Sequence, residues 1–467
     1  MLFTEPVFAV FFAGVFSVYW SIRSNELRKD VLLVASYIFY GSWDWRFAIM
    51  LGLLSTADFL FARKIAASKT RGVRKLLVFC SVAMNLSVLF IFKYFNFFVD
   101  SAIAAASLLH VTLDHPTIHI ILPVGISFFT FQSLSYTIDV YRGEMQPVRS
   151  LRDYLLFAAF FPQLVAGPIV RPKKFMRQLE ALRSISAHEA RLAILLFLTG
   201  FFKKMCIADN ISPYVDQVFA RPADYDVLST VSAVWLYAVQ IYCDFSGYSD
   251  MAIAAAALLG YKLVLNFDAP YLATSIQDFW RRWHISLSSW IRDYIYISLG
   301  GRSSNRLVTY RNLLVTMLAA GLWHGAAWTF VAWGAAHGAS QIVYQEYKYW
   351  TGRLQALGIG SFAGWLITIN VVCIWWILFR APDFSTATLL MARYLGLEGG
   401  GEAALPRWLI ALPVGLLSLQ WVVRKSNVFW RISLLGPTGF APAFGATVAL
   451  TVALLPFGYK PFIYFQF

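Results

Sequence analysis

Residues 313–342 read LLVTMLAAGLWHGAAWTFVAWGAAHGASQI, an apolar run longer than the about 20 residues a helix needs to cross a bilayer. At its centre lies Gly321-Leu322-Trp323-His324-Gly325, where an imidazole has only aromatic and aliphatic neighbours. No acidic residue is within helical reach of His324. An ionisable residue at membrane depth is costly and points by default to function, because its ring must meet a partner or a wet cavity. A satisfied core histidine bonded to a neighbouring carbonyl is the other reading, since polar groups also glue helix bundles together. Gly321/Gly325 and Gly334/Gly338 each give a GxxxG spacing that lets helices approach closely. Read as one continuous helix, the run puts His337 about 220° round from His324. The two then cannot act together unless the helix breaks, and His337 is expected to be structural.

Working outward, further apolar runs recur at 7–20, 31–40, 47–61, 76–92, 118–138, 192–202, 231–241, 362–379, 409–422 and 441–455. The chain is 59% hydrophobic and 17% aromatic but only 14% charged, which excludes a string of soluble domains. The fold class is an all-α polytopic membrane protein. Counting the runs predicts roughly 11–13 transmembrane helices, with re-entrant or amphipathic helices among them. A single membrane domain over 1–467 is expected.

The net charge of +14 would suit nucleic acid if it formed one patch. It does not. Arg63, Lys64, Lys69, Arg71, Arg74 and Lys75 share one short connection, and Arg171, Lys173, Lys174, Arg177 and Arg183 another. Short basic connections beside spans mark the cytoplasmic side and can touch anionic headgroups. Cys80, Cys206, Cys243 and Cys373 lack CxxC spacing, so neither a disulfide framework nor a zinc site is expected. The stretch Met1–Pro6 has no basic n-region, and the first run reads as a retained span.

Several local patterns sharpen this picture. Residues 92–98 form an aromatic interfacial cluster. Asp114, His115 and His119 follow in a polar connection; an i,i+4 histidine pair can bind metal, but Pro116 disturbs the turn and a solvated loop is the better reading. Pro123 and Gly125 break one apolar run, and FPQLVAGP at 161–168 is a second broken element. Two such breaks suit a bundle enclosing a cavity. Asp244, Ser246, Ser249 and Asp250 read as a polar break at an aqueous interface between 231–241 and 251–259, although the acids can also orient a catalytic group.

Residues 277–290, QDFWRRWHISLSSW, are too polar to cross lipid unsupported. At helical period Gln277, Arg281, His284 and Ser288 share one face, with a Trp280, Trp283 and Leu287 stripe beside it. That describes an amphipathic helix at the interface or re-entering the membrane. Arg281 and Arg282 can hold phosphates or a carboxylate, whereas headgroup anchoring explains the arginines but not His284. The run Glu398-Gly399-Gly400-Gly401-Glu402 reads as a flexible connection.

Taken together, ASYIFYGSWDWRF, LPVGISFFTFQSLSYTIDVYRG, FPQLVAGPIVRP, FKKMCIADN, CDFSGYSDMA, NFDAPYLATSIQDFWRRWHISLSSWIRDYIYISLGG and YRNLLVTMLAAGLWHG, with the terminal FIYFQF, carry a resemblance over nearly the whole chain. The sequence resembles the membrane-bound O-acyltransferase family, and within it the bacterial alginate O-acetylation branch. The resemblance implies that His324 is the family's membrane histidine and His284 its second histidine, both catalytic. Arg281, Trp323 and Asp278 are the substrate-binding candidates, with no metal and no bound cofactor. It further implies helices arranged around a central tunnel, and an acetyl group passing from a cytosolic thioester, acetyl-CoA, across the bacterial inner membrane to a hydroxyl on an exopolysaccharide such as alginate. In that branch separate periplasmic acetyltransferases take part, and no nucleic acid is involved. Cellulose or peptidoglycan acetylation, or D-alanyl transfer to teichoic acid, remain alternatives on the same scaffold. A transporter lined by the broken helices is a more distant one.

Overall fold

The computed structural model describes residues 1–112, 121–165, 167–353, 360–426 and 428–456. Asp114, His115 and His119 lie outside the described residues, as does the terminal FIYFQF. Helix dominates the rest, with no named strand among the described residues and one isolated bridge between Tyr225 and Ala403.

Trp45–Ala67, Arg71–Leu108, Val227–Leu258 and Ser361–Arg380 are long and apolar enough to cross a membrane; Pro6–Ser21, Arg407–Val422 and Thr438–Ala453 are apolar but shorter. Large apolar side chains such as Val10, Leu53 and Phe79 are left exposed on these helices. Water would penalise that surface and lipid does not, so the chain is an all-α polytopic membrane protein. Other apolar runs are cut short by breaks. Within the run 118–138, the described residues 121–125 are not helical and the helix begins at Ile126, after Gly125 in the left-handed region at φ 76°. The run 192–202 passes directly into a π-helical segment, Phe202–Ala208. The aromatic cluster at 92–98 is not a helix end, because helix continues through the π-turn Phe90–Tyr94 to Leu108.

Packing divides the chain into two compact units, Met1–Ala193 with Ala252–Val264, and Ile194–Met251 with Leu265–Phe467. In the first unit, α1 (Trp45–Ala67), α2 (Arg71–Leu89) and α3 (Ile126–Arg142) pack together around polar glue. Buried Asp58 accepts from Ser81 Oγ at 2.7 Å and from Asn85 Nδ2 at 3.0 Å. Because lipid cannot satisfy a carboxyl, these neutral donors tie α2 to α1, and Ser81 Oγ also reaches Thr137 Oγ1 of α3 at 3.1 Å. The two breaks foreseen from sequence also meet here: a Cβ added at Gly125 would sit 2.4 Å from Leu164 O.

In the second unit, α4 (Val227–Leu258) runs unbroken through the positions expected to form a polar interface. Asp244 is buried there, with Lys204 Nζ at 2.6 Å, and Lys204 also reaches Asp209 at 2.7 Å. Lys203 pairs with Asp250 at 2.6 Å. The acids of α4 are therefore neutralised by the lysines of the FKKMCIADN segment, which corrects the interface reading. Lysine and aspartate lie far apart in sequence, so spacing could not reveal the pairing.

The segment read as one amphipathic helix is two: α5 (Ile276–Arg282) and α6 (Ile285–Ile291), separated at His284. The run 313–342 is likewise two helices, α7 (Arg306–His324) and α8 (Trp328–Arg353), with Gly325 extended between them. They fold back as a tight hairpin. A Cβ at Gly321 would lie 2.2 Å from Phe330 O, and one at Gly334 would lie 2.4 Å from Met317 O, so both positions require glycine. The helix α9 (Ser361–Arg380) packs beside α8. The 398–402 loop is pinned, not free: Gly401 N–H donates to Tyr225 O and Ala403 N–H to Asp224 O, at 2.8 and 2.9 Å.

Candidate functional site

The end of α7 and the α5–α6 junction place two imidazoles in one aromatic chamber of the second unit. His324 is the last residue of α7 and is 2% exposed. Its ring meets Trp323, Trp333 and Phe379 edge-on, with centroids 5.0, 5.1 and 5.1 Å away. The helix ends here because Gly325 turns extended and the Phe330 ring occupies the space a side chain at 325 would need.

His284 is fully buried and stands in the left-handed region at φ 43°. That conformation costs a non-glycine residue roughly 1–2 kcal/mol, so its surroundings must hold it. Asn266 does so from the preceding loop. Ile285 N–H donates to Asn266 O at 2.9 Å, Ser286 Oγ donates to Asn266 Oδ1 at 2.6 Å, and Asn266 Nδ2 reaches Ser249 Oγ at 3.1 Å. The strained turn aims the His284 ring at Phe245, 4.6 Å away and perpendicular, and at Trp323, 5.7 Å away. Trp323 is thus packed by both histidines, so the structure brings His324, His284 and Trp323 together, a tertiary contact that sequence spacing could not test.

The other two candidates are placed differently. Arg281 is exposed and makes no ion pair or hydrogen bond with any described residue. It lines a cavity of about 490 Å³ with Gln277, Trp280, Arg292, Gln341 and Gln345, to which neither His284 nor His324 contributes. Arg281 therefore suits an anionic part of a ligand and not the reacting atoms. Asp278 is engaged inside the fold: its N–H donates to Ser275 Oγ at 3.1 Å, and its carboxylate accepts from Arg282 Nε at 2.9 Å. Arg282 is spoken for by that pair.

Sequence reasoning missed Asn266, Phe245, Trp333 and Phe379. Asn266 opens the NFDAPYLATS block, but only its hydrogen bonds give it a role. The helix break also revises His337. It lies fully buried on α8, its ring centroid 4.7 Å from that of Trp333 and 5.1 Å from that of Trp280. His324 and His337 both pack on Trp333, which the continuous-helix reading excluded.

A buried imidazole in an aromatic chamber can take a proton from a hydroxyl and return it to a leaving thiolate. The second ring and the indole N–H groups can serve as donors to a developing oxyanion. Comparison with known proteins points to acyl transfer. Residues 147–385 match the membrane-bound O-acyltransferase family. The chain is 38% identical to the probable alginate O-acetylase of Pseudomonas aeruginosa, over 91% of this chain and 80% of that protein. It is 34% identical to the peptidoglycan O-acetyltransferase of Helicobacter pylori, over 85% of this chain and 80% of that protein. It is 26% identical to the teichoic acid D-alanyltransferase of Bacillus subtilis, over 66% of this chain and 78% of that protein.

Proposed function

The chain belongs to the membrane-bound O-acyltransferase family and is an O-acyltransferase, and from that premise we propose that it moves acetyl from cytosolic acetyl-CoA across the bacterial inner membrane for O-acetylation of an exopolysaccharide such as alginate. The observation that carries the site assignment is the shared chamber of His324, Trp323 and His284. His324 acts as the general base on the accepting hydroxyl and then protonates the departing thiolate. His284, held in its strained turn, and Trp323 N–H steady the tetrahedral oxyanion, each such donor being worth about 3 kcal/mol. Burial keeps bulk water from hydrolysing the thioester. Arg281, at the 490 Å³ cavity, takes the phosphates of the donor, and Asp278 supports it indirectly by occupying Arg282. A central tunnel joins donor and acceptor sides, and a periplasmic acetyltransferase receives the acetyl group before the polymer does.

The experiment is transfer of radiolabelled acetyl from acetyl-CoA in inner-membrane vesicles of cells carrying the gene and its neighbours. Label should appear in exopolysaccharide and depend on His324. Unreacted thioester would sink the acyltransfer reading and favour a transporter. A second reading, acetylation of peptidoglycan, is supported by the 34% identity to the Helicobacter pylori enzyme. It predicts label in the cell-wall fraction instead.

A further inference from the structure

His337 has no place in the chemistry above, yet it is buried completely and neither ring nitrogen has a hydrogen-bond partner among the described residues. The indole N–H groups of Trp280 and Trp333 stand in the same condition. Buried polar atoms are nearly always satisfied, so four unmet ones on one wall point to a polar ligand that supplies the missing bonds.

The position of the wall says which ligand. Trp333, His337, Gln341 and Gln345 recur every fourth residue of α8 and so share one face, each step rising about 6 Å. At one end of this stripe Trp333 packs on His324. At the other, Gln341 and Gln345 line the Arg281 cavity. His337 lies between them, and Trp280 bridges the two regions, since it lines the cavity and touches both Trp333 and His337. Ring contacts thus link the cavity to His324 through the residues that carry these four atoms. A bare acyl chain would leave all of them unmet. A pantetheine arm carries two amides in series before its sulfur, and indole N–H groups complement the carbonyls while a neutral imidazole accepts from an amide N–H.

We propose that His337 and Trp280 form the binding wall for the pantetheine arm of the acyl donor, aligning its thioester with His324. The assignment rests on the thioester-donor reading given above. His337 is here a donor-positioning residue, not the base.

Calorimetric binding to the purified full chain in detergent tests this with three probes: CoA, 4′-phosphopantetheine and adenosine 3′,5′-bisphosphate. His337→Phe keeps the aromatic packing and removes the hydrogen bonds; it should weaken CoA and phosphopantetheine about tenfold, the scale of one lost buried hydrogen bond, while the bisphosphate is unaffected. His337→Gln should recover most of that loss. Trp280→Phe should show the same split at about fivefold, and it reads the wall independently if His337→Phe does not fold. Unchanged CoA and phosphopantetheine affinity in both Phe variants, or equal weakening of all three probes, overturns the wall. Wild-type protein that binds phosphopantetheine but not CoA keeps the wall and assigns the arm to a carrier protein, which removes CoA as donor. Wild-type protein that binds no probe refutes the donor reading and the wall together.

Discussion

Replacing His324 separates chemistry from packing if two substitutions are compared. The ring makes three edge-on aromatic contacts, with Trp323, Trp333 and Phe379. At about 0.5–1.5 kcal/mol for each pair, His324→Ala forfeits roughly 1.5–4.5 kcal/mol of packing, so an inactive Ala variant alone would prove little. His324→Phe refills the chamber with a ring of similar shape and no exchangeable proton. Removing a general base costs about 10²–10⁴-fold in rate, or roughly 2.7–5.4 kcal/mol of transition-state stabilisation. The expectation is that His324→Phe remains as abundant and as monodisperse in detergent as wild type, yet transfers acetyl at least about 100-fold more slowly. His324→Ala should be equally inactive and less stable. The assay is labelled acetyl transfer per unit of folded protein, quantified by size-exclusion fluorescence of a tagged chain. If His324→Phe works near the wild-type rate while His324→Ala does not, His324 is packing and the catalytic assignment fails.

The remaining predictions test topology, the buried charges and the relay. Cysteines placed at Ser68 and Lys174, each in or beside a basic connection, should resist impermeant thiol reagents in intact cells, and labelling of both from outside would invert the orientation. Lys204→Met removes the cation paired with the buried carboxylates Asp209 and Asp244 and should cost about 3–5 kcal/mol, read as a lower melting temperature in detergent. Combining it with Asp244→Asn should recover part of the loss, and a double variant no better than the single would mean that the carboxylates were not the cause. In liposomes with acetyl-CoA inside and purified polysaccharide outside, the chain alone should leave the polymer largely unmodified; efficient acetylation without any partner would refute the relay.

What the sequence made legible is what periodicity and composition encode. Apolar runs separated by basic connections identified a helical membrane protein, and Pro123, Gly125 and the 161–168 stretch correctly marked broken helices. Tertiary compensation was not legible. The acids of α4 looked like an aqueous edge because their partners, Lys203 and Lys204, stand some forty residues earlier and meet them only in the fold. The helix ends at Arg282 and His324 were hidden for a related reason. Neither carries proline, and what stops each helix is a contact from elsewhere: Asn266 holding the His284 turn, and Phe330 closing on Gly325.

Those two breaks are also where the site is made. A continuous 277–290 helix would present His284 on one face with Gln277 and Arg281, and a continuous 313–342 helix would turn His337 away from His324. Ending α5 at Arg282 leaves Arg281 at the cavity while the left-handed step at His284 drives its ring inward against Trp323. Ending α7 at His324 lets α8 double back, so that Trp333 returns to pack on His324 and brings His337 beside it. The histidines themselves were legible, because an imidazole among aromatics is chemically conspicuous in any sequence. Their arrangement in space was not, because it depends on two interrupted helices whose interruptions are imposed by residues the pattern gave no reason to single out.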